Sequence, residues 1–234
     1  MRVLILGATG QVGQPLVRKY LELLRLKKIQ KLGIFYRTKQ IFKSDLQHFH
    51  AYKFDFEKDA LNNEFKIEEY DLLINLMHDT SKEFNLSKSF IPSISKVYKN
   101  IFLLIDKINP KRIIFSSSGA VYGAHTSNRL GFKENKNKKI IQFNNYAESK
   151  IYFENKIIEW AELKKNRSYF IFRLFSVYGS DSRSGTKHAL SEFIKSRRLG
   201  KTIIVQSPNT LRCYLHLNDL AEWVCKAGLS AKSH

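Results

Sequence analysis

The chain has 234 residues, 43% of them hydrophobic and 13% aromatic, so it is long enough to bury a sizeable core. Lysine and arginine number 40 against 21 aspartate and glutamate, a net charge of +19 that would suit a nucleic-acid or anionic-membrane partner. The two cysteines, Cys213 and Cys225, exclude a disulfide framework or a zinc cluster. A reducing compartment and no structural metal are therefore expected.

The basic residues are scattered through nearly every segment instead of forming one dominant block. Two local clusters occur, at 133–139 (KENKNKK) and 195–201 (KSRRLGK), and the first has the composition of a solvated loop. This distribution favours a generally basic surface that attracts small anions over a dedicated nucleic-acid face. We therefore do not expect nucleic acid as the partner.

Apolar runs alternate with helical patterns along the first part of the chain. The N-terminal run stops at a glycine loop, which indicates a strand and not a signal peptide, and no apolar stretch is long enough to cross a bilayer. The patterns predict a helix at 11–26 and strands at 2–6, 32–36, 51–54 and 71–76.

The same alternation continues to the end of the chain. A long helix, kinked near Pro92, is predicted to run to about Ile108. Further predictions are strands at 112–115, 169–175 and 202–205, and helices at 145–165, at 188–199 and from about Asp219. Strand and helix in this rhythm predict an α/β fold, a Rossmann-like doubly wound parallel sheet with a small C-terminal appendage.

The turn after the first predicted strand is rich in glycine. Gly7, Gly10 and Gly13 can provide a tight turn, close approach to a pyrophosphate and close packing of the following helix. The first N–H groups of that helix face the same place and favour an anion. The spacing is one residue wider than G-x-G-x-x-G, but the strand before it and the helix after it support a dinucleotide-binding loop.

Residues at the ends of the next three strands indicate how a dinucleotide is held. Arg37 and Lys39 follow the second strand, where an acidic residue is usual for NAD, so they favour NADP over NAD, unless Arg37 is only a surface cation. Asp55 is placed to accept a hydrogen bond from adenine or to cap a following helix. His78 ends the fourth strand, and we leave it outside the catalytic set because a lone histidine is more often structural.

Tyr146 and Lys150 lie four residues apart on a predicted helix and therefore on one face of it. An ammonium beside a phenol favours the phenolate, so the tyrosine becomes a usable base. The strand at 112–115 continues into three serines, which can present a hydroxyl to a substrate beside that phenol. These segments meet if all end at the carboxyl edge of the sheet.

In order, the glycine loop, SSSGAVYG at 116–123 and Y-x-x-x-K at 146–150 resemble the extended short-chain dehydrogenase/reductase family, the NAD(P)-dependent sugar-nucleotide epimerases and dehydratases. RLFSVYG at 173–179 and RCYLHLNDLAEWV at 212–224 resemble two further motifs of that family. The resemblance implies Ser118, Tyr146 and Lys150 as catalytic residues, and Ser118, Ser176 and Arg212 as substrate ligands. The expected cofactor contacts are Gly7, Thr9, Gly10, Gln11, Val12, Gly13, Arg37, Asp55, Phe56, Leu76, Met77, Tyr146 and Lys150.

The sequence departs from the family pattern at three places. Ser176 replaces a usual asparagine, and Gly119-Ala120 replaces the Asp-Glu pair of 4,6-dehydratases, so a dehydratase is not expected. The chain also ends soon after the helix that begins near Asp219. We expect a cofactor domain at 1–175 and, at 176–234, a substrate portion that is either minimal or a fragment.

The predicted function is a nucleotide-sugar epimerase or ketoreductase with Tyr146 as acid and base and NADP or NAD as cofactor. The alternative is a non-catalytic Rossmann cofactor sensor or an RNA-associated binding protein. A cytoplasmic homodimer that takes a nucleotide sugar and uses no membrane is expected, with helices 81–108 and 145–165 at the dimer interface by resemblance.

Overall fold

A computed structural model describes residues 1–38, 42, 47–78, 95–123, 134, 145–179, 189–205, 209 and 211–230. Its strands are β1 (Arg2–Leu6), β2 (Lys31–Tyr36), β3 (Phe49–Lys53), β4 (Leu72–Asn75), β5 (Arg112–Ser118), β6 (Ser168–Leu174), β7 (Ser176–Tyr178) and β8 (Tyr214–His216). Its α-helices are α1 (Gly13–Arg25), α2 (Lys96–Ile108), α3 (Asn145–Glu162), α4 (Ala189–Arg198) and α5 (Leu217–Leu229). A short 3₁₀ helix, Gly119–Tyr122, follows β5.

Six strands form one parallel sheet in the order β3-β2-β1-β4-β5-β6. The order reverses between β1 and β4, the point at which such sheets bind ligands beyond their carboxyl ends. The predicted Rossmann-like parallel sheet is therefore confirmed. β7 and β8 pair in parallel as a separate two-stranded sheet.

Alternating side chains along the central strands send apolar groups to both faces of the sheet. Val3 and Ile5 pack with α1 and α5 on one face, whereas Leu4 and Leu6 pack with α2 and α3 on the other. Both faces of the central strands are buried, which explains why these strands are continuous apolar runs in the sequence. The core thus holds the carboxyl edge of the sheet rigidly.

The last helix joins this core although it lies late in the chain. Leu220 and Val224 of α5 are buried in the same cluster as β1 and α1. The boundary between 1–175 and 176–234 stays a prediction, with α5 packed against the first of these parts.

Several predictions about elements need correction, and others concern residues that the structure does not describe. No strand forms at 202–205, because Ile203, Ile204 and Val205 are exposed and have no partner strand among the residues that the structure describes. The short strands β7 and β8 were missed, and β5 runs through the serines to Ser118 and does not stop at 115. Pro92, Lys39 and, apart from Glu134, the cluster at 133–139 lie outside the described residues.

Candidate active site

The glycine turn between β1 and α1 is built by close backbone contacts. Gly7 has φ +77°, a conformation that favours glycine, and a Cβ on Gly13 would lie 2.1 Å from the Gly7 carbonyl oxygen. Val12 precedes α1 without a side-chain cap. In the first turn of α1 the Gln14 N–H donates to the Gly10 carbonyl at 3.1 Å and Pro15 has no N–H, so the Gly13 N–H is the one that can face an anion at the start of this helix.

A cavity of about 420 Å³ opens beside this turn at the reversal point of the sheet. It contains all the predicted cofactor contacts except Tyr146 and Lys150; its lining residues are Gly7, Thr9, Gly10, Gln11, Val12, Gly13, Phe35, Tyr36, Arg37, Phe54, Asp55, Phe56, Glu57, Leu76, Met77, His78 and Val97. The structure thus brings together residues from the ends of β1, β2, β3 and β4. Its extent along the sheet suits a dinucleotide.

An orphaned polar atom supports this fit. Gln11 lines the cavity, and its Nε2 is buried without a hydrogen-bond partner among the described residues. Asn75, fully buried at the end of β4, likewise keeps its Nδ2 unpartnered within the described part of the chain, while its Oδ1 accepts the Met77 N–H at 3.0 Å. A buried donor needs a partner, and for Gln11 Nε2 a phosphate or ribose oxygen in the cavity would supply it, whereas Asn75 does not line the cavity.

Asp55 and Arg37 have contacts that bear on their predicted roles. Asp55 Oδ1 accepts the N–H of Glu57 at 3.0 Å, so the carboxylate caps the turn after β3, where no regular helix forms. Arg37 Nη1 lies 3.7 Å from the carboxylate of Glu57, another cavity residue. An acidic group is therefore present beside the cation that favours NADP.

Asn100 is a buried residue that the sequence reasoning missed. From α2 it donates to the carbonyls of Phe56 and Asp59, both at 2.9 Å, and accepts the N–H of Leu61 at 3.1 Å. These three bonds hold the loop that carries Asp55 and Phe56. An asparagine on the otherwise apolar face of α2 was the available signal.

Tyr146 and Lys150 lie on one face of α3, as predicted. The Tyr146 ring is 5.3 Å from the ring of His78, which lines the cavity, and Lys150 Nζ is 5.7 Å from the centroid of the Tyr146 ring. Ser149 Oγ donates to the Tyr146 carbonyl at 2.8 Å and accepts from Tyr98 Oη at 3.1 Å. These bonds tie the first turn of α3 to α2 beside the cavity.

Lys150 is buried against the end of β5. Its Nζ donates to the carbonyl oxygen of Ser116 at 2.7 Å and lies 4.7 Å from the centroid of the Phe115 ring. Burial lowers the pKa of Lys150 to about 7, and the charge of Glu154 acts in the opposite direction. The lysine can therefore change its charge near neutral pH.

Ser118 ends β5 two residues beyond the carbonyl that Lys150 contacts. Its Oγ accepts the N–H of Ala120 at 3.2 Å, which caps the 3₁₀ helix. The hydroxyl retains a proton to donate and a second lone pair. Ser118 and the Ser116 carbonyl that Lys150 contacts therefore both lie at the carboxyl end of β5.

Ser176 and Arg212 lie elsewhere, on the β7–β8 pair. Ser176 is half-buried and donates its N–H to the Cys213 carbonyl at 3.3 Å, while Arg212 is exposed just before β8. Neither lines the cavity. Their role as substrate ligands stays a prediction.

One turn beyond Lys150 on the same face of α3, the buried Glu154 forms an ion pair with the partly buried Arg173, which the sequence reasoning did not assign. Arg173 of β6 donates to both carboxylate oxygens of Glu154, at 3.0 and 2.7 Å. The available signal was a lone arginine within the apolar strand YFIFRLF, since a charge at a buried position requires a partner.

Among the described residues, no helix is both long and apolar enough to span a bilayer. Nor does that part of the chain contain a group of three or more His, Cys, Asp and Glu side chains able to hold a metal ion.

Comparison with known proteins gives the family. Residues 3–233 match the model of the NAD dependent epimerase/dehydratase family, and the chain belongs to this family. A curated relative, N-acetyl-alpha-D-glucosaminyl-diphospho-ditrans,octacis-undecaprenol 4-epimerase of Escherichia coli O157:H7, is 22% identical over 95% of this chain. The chain spans 61% of that relative's length.

Solved structures with the same fold share little sequence with the chain. UDP-N-acetylglucosamine 4-epimerase of Methanobrevibacter ruminantium M1, in complex with UDP-N-acetylmuramic acid, superposes with a TM-score of 0.72 at 20% identity, over 99% of this chain and 74% of that one. UDP-glucose 4-epimerase of Thermotoga maritima, with UDP-glucose, gives 0.71 at 18% identity, over 97% and 73%. dTDP-glucose 4,6-dehydratase of Bacillus anthracis, with NAD, gives 0.70 at 13% identity, over 100% and 73%.

Proposed function

We propose that this chain carries the cofactor-binding and acid–base part of an NAD(P)-dependent nucleotide-sugar epimerase or ketoreductase. The observation that carries the proposal is the position of Tyr146, with its ring 5.7 Å from the buried Lys150 Nζ and 5.3 Å from a ring at the cavity wall. Family membership and relatives named as UDP-sugar 4-epimerases support it.

In the proposed reaction Tyr146 exchanges a proton with the reacting oxygen of a sugar. Charged Lys150 favours the phenolate form of Tyr146, which then removes a hydroxyl proton, and the phenol returns a proton when a keto group is reduced. Ser118 donates a hydrogen bond that aligns that oxygen. A nicotinamide bound in the cavity would accept and return the hydride.

The same residues would hold the cofactor. The glycine turn and the Gly13 N–H at the start of α1 would bind its pyrophosphate, and a cofactor oxygen would give Gln11 Nε2 the partner that it lacks among the described residues. Asp55 and Phe56 line the cavity on the loop that Asn100 holds, and they would bind the adenine. A relative of the same fold contains NAD.

The finer cofactor assignment, NADP over NAD, rests on Arg37. Glu57 at 3.7 Å opposes it, because a carboxylate repels a 2′-phosphate. The ratio of the dissociation constants for NADPH and NADH shows whether the Arg37 cation or the Glu57 carboxylate has the larger effect on cofactor choice.

Gly119 and Ala120 supply no acid or base for an elimination, which supports an epimerase or reductase and not a dehydratase. A substrate portion at 176–234, with Ser176 and Arg212 as ligands, also belongs to the proposal. So do a cytoplasmic location and a homodimer through the helices predicted at 81–108 and 145–165, of which residues 81–94 lie outside the described part of the chain.

Tyr146→Phe tests the chemistry. With NADPH or NADH and a panel of UDP sugars and their keto derivatives, the variant should lose about 10²- to 10⁴-fold in turnover, while its affinity for the cofactor changes far less. Tyr152→Phe, on the same helix but facing Phe102 at a ring distance of 6.1 Å, is the matched control and should keep wild-type turnover.

Equal turnover in Tyr146→Phe and wild type would remove Tyr146 from the mechanism. No sugar turnover, together with a steeply salt-dependent affinity for RNA, would instead support the non-catalytic binding protein.

A further inference from the structure

Three polar side chains form a stripe along α3. Tyr146, Lys150 and Glu154 follow at intervals of four residues and therefore lie on one face of the helix. Lys150 is 3% exposed and Glu154 4% exposed. A carboxylate that is buried so deeply must be paired and hydrogen-bonded, so its partners show what it does.

Glu154 receives donors from two neighbouring strands. Arg173 Nη2 donates to Oε2 at 2.7 Å and Arg173 Nε donates to Oε1 at 3.0 Å, a bidentate pair. Ser117 Oγ also donates to Oε1. Because Ser117 and Arg173 face each other across the β5–β6 register, the carboxylate fastens α3 to the carboxyl halves of both strands.

The other end of Arg173 reaches the turn that follows Ser118. Its Nη1 donates to Tyr122 Oη at 3.2 Å, and its guanidinium carbon lies 5.1 Å from the centroid of the Tyr122 ring. Tyr122 also stacks on Phe175, with the ring centroids 6.0 Å apart. One arginine thus links the helix that carries Tyr146 to the turn whose first residues follow Ser118.

The ion pair also determines how much negative charge faces Lys150. Glu154 lies one helical turn beyond the lysine, and its charge raises the pKa of Lys150 against the effect of burial. Arg173 carries the opposite charge and lies 2.7 Å from the Glu154 carboxylate. Because Lys150 and Glu154 are both buried, we expect the loss of either charge of the pair to change the field at Lys150 more than it would at the surface.

We propose that Glu154 and Arg173 are positioning residues for the proposed reaction: their ion pair, with the Ser117 and Tyr122 hydroxyls at its ends, holds the Ser118 turn and the Tyr146–Lys150 face in register. The inference rests on the proposed function, which assigns the chemistry to Ser118, Tyr146 and Lys150. Glu154 and Arg173 themselves act through these three residues.

The first measurement needs no turnover. Titration of the lysine Cε signals by NMR, with the Lys150 signal assigned through Lys150→Arg, should show a lower pKa of Lys150 in Glu154→Gln, because a negative charge has been removed. Arg173→Met should raise it, because the Glu154 charge is left uncompensated. Glu159→Gln, an exposed carboxylate on the same helix, is the matched control and should leave it unchanged.

The second measurement separates geometry from charge. Arg173→Lys keeps a cation but loses the bidentate fork, so it should leave the Lys150 titration near wild type and lower kcat about tenfold or more, with a smaller change in KM. Ser117→Ala removes one donor to Glu154 and serves as the milder variant if Arg173→Met or Glu154→Gln fails to fold.

An unchanged Lys150 titration in Glu154→Gln, or wild-type kcat in both Arg173→Lys and Ser117→Ala, would overturn the proposal. A wild-type protein that turns over no sugar, while the Lys150 titration still moves in opposite directions in the two charge variants, would instead contradict the proposed reaction and retain the electrostatic coupling.

Discussion

Two regions of the molecule differ sharply in how they bury apolar side chains. In the six-stranded sheet Val3, Leu4, Ile5 and Leu6 are all fully buried. In the stretch 189–214, α4 has no buried residue, and Leu199, Ile204 and Leu211 are 59%, 75% and 76% exposed. The sheet with its cavity is therefore stabilised by its own core, whereas the described residues of 189–214 gain little free energy from packing against that core.

Under the proposed function, this contrast separates cofactor binding from substrate binding. The cofactor cavity and the Tyr146–Lys150 face rest on strands and helices with high burial. The predicted substrate side depends on Arg212 and on a two-stranded sheet of three residues per strand. Regions with few buried contacts open locally at low free energy. We therefore expect that substitutions on the predicted substrate side can change that side without unfolding the sheet and its cavity.

A pair of leucine substitutions late in the chain tests the contrast most strongly. Leu220→Ala, at a 1% exposed position of α5, should lower the free energy of unfolding by about 2 to 5 kcal/mol, through lost burial and the cavity left behind. Leu211→Ala, at a 76% exposed position, should change it by less than about 0.5 kcal/mol. Urea denaturation followed by circular dichroism measures both.

A large loss of unfolding free energy in Leu211→Ala would contradict the difference between the two regions, because it would show that this side chain is covered in solution. Similar small effects in both variants would show that α5 does not belong to the core.

Two glycine substitutions give the next largest difference. In Gly13→Ala the new Cβ meets backbone oxygens of Gly7 at 2.1 Å and of Ala8 at 2.7 Å, so α1 must move away from the turn. We expect a loss of about 3 kcal/mol in stability and weakened binding of NADH, measured by fluorescence titration.

Gly200→Ala is the control from the exposed stretch. Gly200 has φ +64° but nothing within 4 Å of its added Cβ, so only backbone strain of about 1 kcal/mol is expected, with NADH binding unchanged. Normal NADH affinity in Gly13→Ala would show that the turn does not hold the cofactor.

The same contrast explains which parts of the fold the sequence predicted. The strands of the large sheet are apolar runs buried on both faces, so periodicity and turn residues suffice to find them. The TIIV run at 202–205 has the same composition, yet it forms no strand, because a strand also needs a partner and local sequence does not specify one. The three residues of β8 are too few to give a pattern.

The candidate site was predicted to a similar extent. The glycine loop, Tyr146 and Lys150 lie in local motifs, whose spacing already carries the geometry. Glu154 and Arg173 are 19 residues apart and meet only through the β5–β6 register. Their pairing could be recognised only from the tertiary fold. The sequence shows an arginine in an apolar strand and a glutamate one helical turn after Lys150, but it does not show that the two side chains meet.

The smallest expected difference concerns charged residues, and it extends the comparison to pH. Asp71, on the loop before β4, accepts from the N–H of Arg2 at 2.8 Å and from its Nη2 at 3.0 Å, bonds that hold the pKa of Asp71 below its ordinary value. Asp71→Asn should therefore lower stability by about 1 to 2 kcal/mol at pH 7, whereas Glu192→Gln, on the exposed helix α4, should change it by less than about 0.5 kcal/mol.

The pH dependence of the free energy of unfolding shows whether Asp71 acts through its charge. Because the pKa of Asp71 is lowered on folding, the bond to Arg2 contributes fully above the ordinary aspartate pKa of about 4 and is lost as the pH falls through the lowered value. The difference in unfolding free energy between wild type and Asp71→Asn should hence be constant from pH 7 to about pH 5 and shrink below about pH 4. A difference that persists unchanged at pH 3 would mean that the Asp71 carboxylate acts through its shape in the loop and not through its charge.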